Sequence, residues 1–426
     1  MTAAKQSCLL PKLRFAEFLD EPPWERLPLR KLAKRIIQRN FRGANLKALT
    51  NSAEHGVVDQ REYFDKGIAT NTDNYFIVEA GDYVYNPRSS AIAPVGPISK
   101  NEIGTGVVSP IYTVFRFRSD DNGFFAHYFR SSHWHGYMRR VSNTGARHDR
   151  LSITNDDLMR MPIPTPMLRE QRKIADCLDS LDDLITAEGR KIDALRKHKQ
   201  GLMQQLFPKP GEKVPRMRFP EFRHAAEWET KVLGTQGSFL SSLTGKTAKD
   251  FDTGDATFVP YMNVFSNAFT NTADLRSVNV ADHESQRAVA KGDVFFTVSS
   301  ETPEEAGMSS VLLEEIRNCY LNSFCTLFRF DEGKSPDPSF LGHLLRSAPA
   351  REHLSRGAQG ATRYNISRAV FRNLPILIPS VHEQQRIAHC LGSLDDMVTA
   401  ESRKLEAMRQ HKKGLMQQLF PSLEAA

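Results

Sequence analysis

Six arginines crowd one stretch of the chain, Arg346, Arg351, Arg356, Arg363, Arg368 and Arg372, against the single acid Glu352. Half a chain earlier, Arg130, Arg139, Arg140, Arg147, Arg150 and Arg160 form a matching run, diluted by three aspartates. Clusters of this kind suit phosphate contact, and the planar arginine fork suits bidentate recognition of guanine better than lysine does. For any single member, a solvated surface is the plain alternative. Other groupings imitate chemistry but fail on spacing. SLTGKT at 242–247 ends like a phosphate loop, yet Leu240 stands where that loop needs its first glycine. HEQQR at 382–386 carries Arg386 in place of the second histidine of a zinc-protease helix. His133 and His135 flank Trp134 without a third ligand close in sequence. Asn86-Pro87-Arg88 is not the Asn-Pro-Pro-aromatic run of amino-methyltransferases, and DEGK at 331–334 lacks the partner acid of a nuclease. The five cysteines (Cys8, Cys177, Cys319, Cys325, Cys390) form no CxxC pair, against both a zinc site and a disulfide framework. The expectation is a chain that is not an enzyme and holds no metal or cofactor of its own.

The elements that must position these arginines are announced by a repeat. GLMQQLFP occurs at 201–208 and again at 414–421. Extended leftward, 170–208 aligns without gaps to 383–421, with 27 identities in 39 positions at an offset of 213. Each half also opens alike, with PKLRFAEF before Trp24 and PRMRFPEF before Trp228. Fainter echoes lie between, GDYVY against GDVFF and TVFRF against TLFRF. The 426 residues therefore read as two tandem halves, each a globular domain followed by a long helix. The expected boundaries are 1–168 for the first recognition domain and 169–208 for the central helix. A linker and the start of the second half follow at 209–228, then the second recognition domain at 229–381 and the C-terminal helix at 382–421. With 40% hydrophobic and 25% charged residues, no apolar run of about 18 and no secretory leader, a cytoplasmic protein is expected. The net charge of +7 hints at a polyanion partner.

Apolar residues in the first helix alternate four and three apart: Ile174, Leu178, Leu181, Ile185, Ile192, Leu195, Leu202 and Leu206. The second helix repeats the pattern, which is a coiled-coil seam about 57 Å long at 1.5 Å per residue. Glu188 and Lys199, matched by Glu401 and Lys412, interrupt it. A parallel pairing would oppose like charges, whereas an antiparallel pairing with residue numbers summing to 600 sets Glu188 on Lys412 and Lys199 on Glu401. The same register places Leu181 on Leu419 and Leu206 on Leu394. The fold class expected is α+β: two mixed α/β domains joined by two long helices in an antiparallel coiled coil, with a pseudo-two-fold internal repeat.

The domains have diverged while the helices have not, which suggests one shared mechanical task and two different recognition tasks. Residues 25–168 carry 20 Lys/Arg against 14 Asp/Glu, and 229–381 carry 15 against 17. By donor chemistry and position in turns, the residues expected to touch DNA are Asn86, Arg88, Ser89, Arg147 and Arg150 in the first domain. In the second they are Lys246, Thr247, Asn263, Ser299, Arg363, Tyr364 and Asn365. The outward helix faces, including Asp182, Asp183, Asp395 and Asp396, are expected to meet protein partners.

With helices and domains in view, the chain resembles a specificity subunit of a type I restriction-modification system. The phrases MPIPTPMLREQRKIADCLDSLDDLI and LPILIPSVHEQQRIAHCLGSLDDMV carry the likeness: a proline strap leads into Glu-Gln, then Leu-Asp-x-hydrophobic. PKLRFAEF and PRMRFPEF, GKT at 245–247 and the KGD turn at 291–293 are also similar. The resemblance implies a DNA-binding adaptor that recruits two modification subunits, which use S-adenosylmethionine, and two restriction subunits, which use ATP and magnesium. Each recognition domain would read half of an asymmetric bipartite site in double-stranded DNA, with the helices setting the unread spacer. A stand-alone DNA-binding regulator and a coiled-coil scaffold are the rival readings.

Overall fold

The computed structural model describes residues 9–41, 46–65, 72–144, 149–281 and 283–422. The chain divides into two compact units. One gathers the residues up to Glu188 with those from Lys404 onward, and the other runs Gly189–Arg403. Each unit thus owns one α/β domain and a segment of each long helix, Leu168–Leu206 and Val381–Leu419.

In the first unit an antiparallel sheet orders its strands Ala33–Ile36, Thr113–Phe117, Tyr83–Tyr85 and Ile98–Lys100. The helix Gly123–Arg130 lays Phe125 on Phe117 and Phe129 against Tyr83, and Trp24 closes on Phe124. In the second unit the corresponding sheet runs Gly237–Leu240, Cys325–Phe330, Val294–Thr297 and Ser309–Val311. A three-stranded sheet of Arg276–Val278, Phe251–Val259 and Cys319–Leu321 stands beside it, the last two strands parallel.

The echoes in the sequence are ion pairs that the two sheets share. Gly81 and Gly292 both sit at φ +87, a conformation glycine adopts without strain, and each is followed by a fully buried aspartate. Asp82 takes the Arg116 fork at 2.6 and 2.9 Å, and Asp293 takes Arg329 at 2.7 Å through both nitrogens. A carboxylate removed from water needs such a partner, so the Gly-Asp turn and the Phe-Arg-Phe strand recur together.

The opening phrases of each half dock on the helix starts by a second shared device. Arg14 forks onto Glu170 at 2.8 Å through two nitrogens, and the Trp24 indole N–H donates to the same carboxylate at 3.1 Å. Arg218, Trp228 and Glu383 repeat the arrangement at 2.8, 2.7 and 3.4 Å. The glutamine next in line, Gln171 or Gln384, donates to the carbonyl of Pro166 or Pro379. The proline straps are strands: Pro162–Thr165 pairs with Glu25–Pro28, and Pro375–Ile378 with Glu229–Val232. Each domain's first and last strands are thereby tied together at the start of a helix.

GLMQQLFP finishes both helices in the same manner. The Gln418 carbonyl accepts from the Leu13 amide and the Gln205 carbonyl from the Met217 amide, both at 3.0 Å. Phe420 packs on Phe124 and Tyr128, and Phe207 on Trp228 and Phe340.

Within each unit the helix segments are antiparallel, as expected, but their register differs from the sequence reading. In the first unit Lys412 pairs with Asp182 and Lys404 with Glu188. In the second, Lys199 pairs with Asp395 and Lys191 with Glu401. The paired numbers sum to 592 or 594 rather than 600, about one heptad away. The expected Glu188–Lys412 and Lys199–Glu401 layers are therefore replaced. The physical reason lies at the helix ends. Leu419 and Phe420 enter the core that holds Ile174 and Leu178, and Leu206 and Phe207 enter the one that holds Ile387 and Leu391. That apolar docking outweighs direct opposition of seam charges, which find partners one position off the seam instead.

Candidate nucleic-acid interface

Two short strand pairings carry several of the expected donors. In the second unit Ser299–Ser300 runs antiparallel to Tyr364–Asn365, with Ser299 opposite Asn365 and Ser300 opposite Tyr364. Gln359 and Asn365 exchange backbone hydrogen bonds at 2.9 and 2.8 Å, closing a tight loop that carries Arg363. Gly360 makes that loop possible. Its φ is +150, and a Cβ there would lie 1.8 Å from the Arg363 carbonyl oxygen. Arg363 is exposed and lines a cleft of about 420 Å³ together with Ser299, Tyr261, Met262, Phe265 and Phe324. Tyr261 stacks on Phe265 and donates its hydroxyl to the Ser299 carbonyl at 2.7 Å.

In the first unit the Leu151 amide donates to the Pro87 carbonyl at 3.0 Å and the Ser89 amide to the Asp149 carbonyl at 2.9 Å. This bridge sets Arg88 opposite Arg150. Arg88 is exposed and held by Asp149 at 3.1 Å, while Arg150 is half-buried with a buried Nε that makes no hydrogen bond. At the offset of 213, Arg150 corresponds to Arg363 and Leu151 to Tyr364. A short antiparallel pairing thus lies at this place in both domains, one residue further along in the second. Arg147 lies outside the described residues.

Other expected contact residues are buried or already paired within the chain. Asn263 is 0% exposed and its amide donates to the carbonyls of Asn271 and Asp274. Asn86, 8% exposed, donates to the Asn51 carbonyl and accepts from the Arg88 amide, so it shapes the turn that presents Arg88. Lys246 is buried against Glu284 at 2.6 Å, and this ammonium holds the Glu284 carboxyl at about 2. Thr247 caps a short helical turn by a reciprocal pairing with Asp250. GKT is therefore a structural turn that spends its own donors. Arg346 and Arg351 leave the arginine cluster in the same way. Arg346 donates to the carbonyls of Val264, Phe265, Asn267 and Ser309, and Arg351 to those of Glu304, Ala306 and Gly307. Burial pulls both guanidinium groups down to about 10. Sequence reasoning missed this because spacing does not separate a buried arginine from an exposed one.

On the helices, Asp182 is held by Arg130 and Lys412, and Asp395 by Lys199 with His343 at 3.9 Å. Both carboxylates are paired within the chain while their side chains stay 37% and 38% exposed. Asp183 and Asp396 remain exposed. His127, Asp179 and Asp182 come within 4.8 Å of one another. The cations Arg130 and Lys412 already sit on Asp182, and burial lowers the His127 pKa. No described helix is long and apolar enough to cross a membrane.

Comparison with known proteins bears on this arrangement. The family model of the type I restriction modification DNA specificity domain matches residues 56–197 and 227–410. The type I restriction enzyme MjaVIII specificity subunit of Methanocaldococcus jannaschii is 27% identical over 262 residues, 61% of each chain. The putative MjaX specificity subunit of the same organism is 24% identical, over 63% of this chain and 60% of its own. The match thus spans about three fifths of these relatives' length. Among solved structures, one described as the structural basis of assembly and conformational transition of a type I R-M system has a TM-score of 0.58. It is 15% identical over 93% of this chain and 97% of its own. The type I restriction-modification S subunit from M. genitalium has a TM-score of 0.53 at 12% identity, over 97% and 100%. These structures share the fold.

Proposed function

The chain belongs to the family of type I restriction-modification DNA specificity proteins, and on that premise we propose that it is the non-catalytic subunit that chooses the DNA site. Each α/β domain reads one half of an asymmetric bipartite sequence. The paired helices set the spacer and, through outward positions such as Asp183 and Asp396, recruit two modification subunits that use S-adenosylmethionine. Two restriction subunits using ATP and magnesium join the same cytoplasmic assembly. The observation that supports this most is the duplicated strand pairing. Arg150 and Arg363 correspond at the offset of 213, and each lies at a short strand pairing, Arg150 within it and Arg363 in the loop beside it, in domains that otherwise differ in sequence and charge. Phosphate contacts from such arginines position a protein on DNA, while base-edge contacts specify the sequence.

The reading is tested by mapping N6-methyladenine in DNA from cells expressing this chain with its modification subunit. A bipartite asymmetric motif that disappears when the chain is omitted is expected, and exchange of residues 229–381 for another such domain is expected to alter one half-site only. Alteration of both half-sites would sink the modular reading. Tight site-specific binding without any methylation motif would favour a stand-alone regulator.

A further inference from the structure

Both recognition domains hold an apolar side chain out into solvent at the same turn. In the second unit Phe324 is 63% exposed, yet its backbone is fixed on both sides. Its amide donates to Asn322 Oδ1 at 2.9 Å and its carbonyl accepts from the Val298 amide at 3.2 Å. Asn322 is buried and anchored to the Val259 carbonyl at 2.9 Å. In the first unit the equivalent residue at the offset of 213 is Ile111, 49% exposed, whose amide donates to Ser109 Oγ at 3.5 Å. A lone exposed hydrophobe carries no message, but Phe324 does not stand alone. Met262, 58% exposed, lines the same cleft, whose wall is the Tyr261–Phe265 stack and whose rim holds Arg363.

The charge of the cleft says which part of DNA faces it. Glu301 and Glu305 also line it, and two carboxylates repel phosphate. The surrounding domain, with 15 Lys/Arg against 17 Asp/Glu, adds no general attraction for the backbone. A base edge carries no formal charge, so the carboxylates oppose it far less than they oppose phosphate. Apolar side chains, phenylalanine among them, recognise the thymine C5-methyl group in the major groove. We propose that Phe324, supported by Met262, reads a thymine methyl in the second half-site beside the contact made by Arg363, and that Ile111 does the same in the first. The proposal rests on the site-reading function above and names the chemical group being read. It also gives a reason for the two domains to differ here: an isoleucine and a phenylalanine at one turn fit differently placed methyl groups.

The test uses the full chain in complex with its modification subunits and duplexes carrying its mapped site, with each thymine of the second half-site replaced in turn by deoxyuridine. One position is expected to weaken binding about fourfold, the worth of one buried methyl group. Phe324→Ala is expected to lose that sensitivity there while keeping the response to changes in the first half-site, and Ile111→Ala to do the converse. Because both residues are exposed, unchanged thermal unfolding of the variants would separate readout from folding. A second half-site without an A·T pair, a wild-type complex indifferent to every deoxyuridine, or a Phe324→Ala complex with the wild-type penalty would each overturn the proposal. A wild-type complex that methylates no site would instead overturn the function on which it rests.

Discussion

The helices and the domains they carry have taken opposite routes from one duplication. The helices keep 27 of 39 residues, while the domains keep little beyond PKLRF/PRMRF, the Gly-Asp turn and the Phe-Arg-Phe strand. What survives in the domains is the Arg–Glu–Trp clamp that holds each to a helix and the buried Asp–Arg pair that ties turn to strand within each sheet. What has changed is what surrounds the paired strands at Arg150 and Arg363. The duplicated chain separates an invariant way of holding a recognition domain from a variable way of using it.

The clamps offer the hardest blow to that comparison. Glu170→Ala and Glu383→Ala each leave a buried guanidinium without its carboxylate, with side-chain exposures of 6% for Arg14 and 7% for Arg218. Each is expected to cost about 3–5 kcal/mol of stability, measured by urea unfolding with tryptophan fluorescence. Equal losses would confirm that both halves are held alike; a large loss at one copy only would break the equivalence.

A smaller difference between the units is legible in acid. His343 stands where the first unit has Arg130, and each faces the equivalent aspartate, Asp395 or Asp182. Burial chiefly, with Lys199 nearby, lowers the His343 pKa from 6.5 to about 3. The folded state therefore keeps this imidazole neutral where the unfolded chain protonates it. The unfolded state binds more protons between those values, so stability falls as pH drops below about 6.5, by roughly 1 kcal/mol from pH 6.5 to about 5.5. His343→Phe is expected to flatten that part of the pH profile of unfolding; an unaltered slope would show that other groups produce it.

The smallest effect should come from the seam itself. Lys412→Met and Lys199→Met are expected to change stability by less than about 1 kcal/mol, since the aspartates left behind, Asp182 and Asp395, are 37% and 38% exposed and stay solvated. Register is the sharper readout. The observed alignment favours a disulfide between Ile185→Cys and Met408→Cys, while the sum-600 alignment favours Ile185→Cys with Leu415→Cys. Crosslinking of the second pair would show that seam charge, not docking at the ends, sets the helix alignment.

Periodicity made the helices legible. Leu, Ile and Val spaced four and three apart, with identical termini in two copies, leave little else that 170–208 can form. The repeated runs TVFRF and TLFRF marked corresponding segments, and the fold makes each an inner strand of its four-stranded sheet. The recognition residues were legible only as a neighbourhood. Donor chemistry pointed to Ser299, Arg363, Tyr364 and Asn365, which the fold brings together, but equally to Asn263 and Lys246, which it buries. Composition cannot tell an amide that faces solvent from one that satisfies a carbonyl.

By itself, then, the sequence determined the duplication, the two long antiparallel helices and the α/β character of what lies between them, because these follow from local periodicity and near-identity. Tertiary structure decided the register of the coil, the assignment of Arg346 and Arg351 to the interior, and the presentation of Phe324 beside Arg363. Those outcomes depend on burial and on partners 45 to 230 residues away along the chain. No local pattern encodes them; they emerge when competing apolar contacts and buried charges are satisfied together.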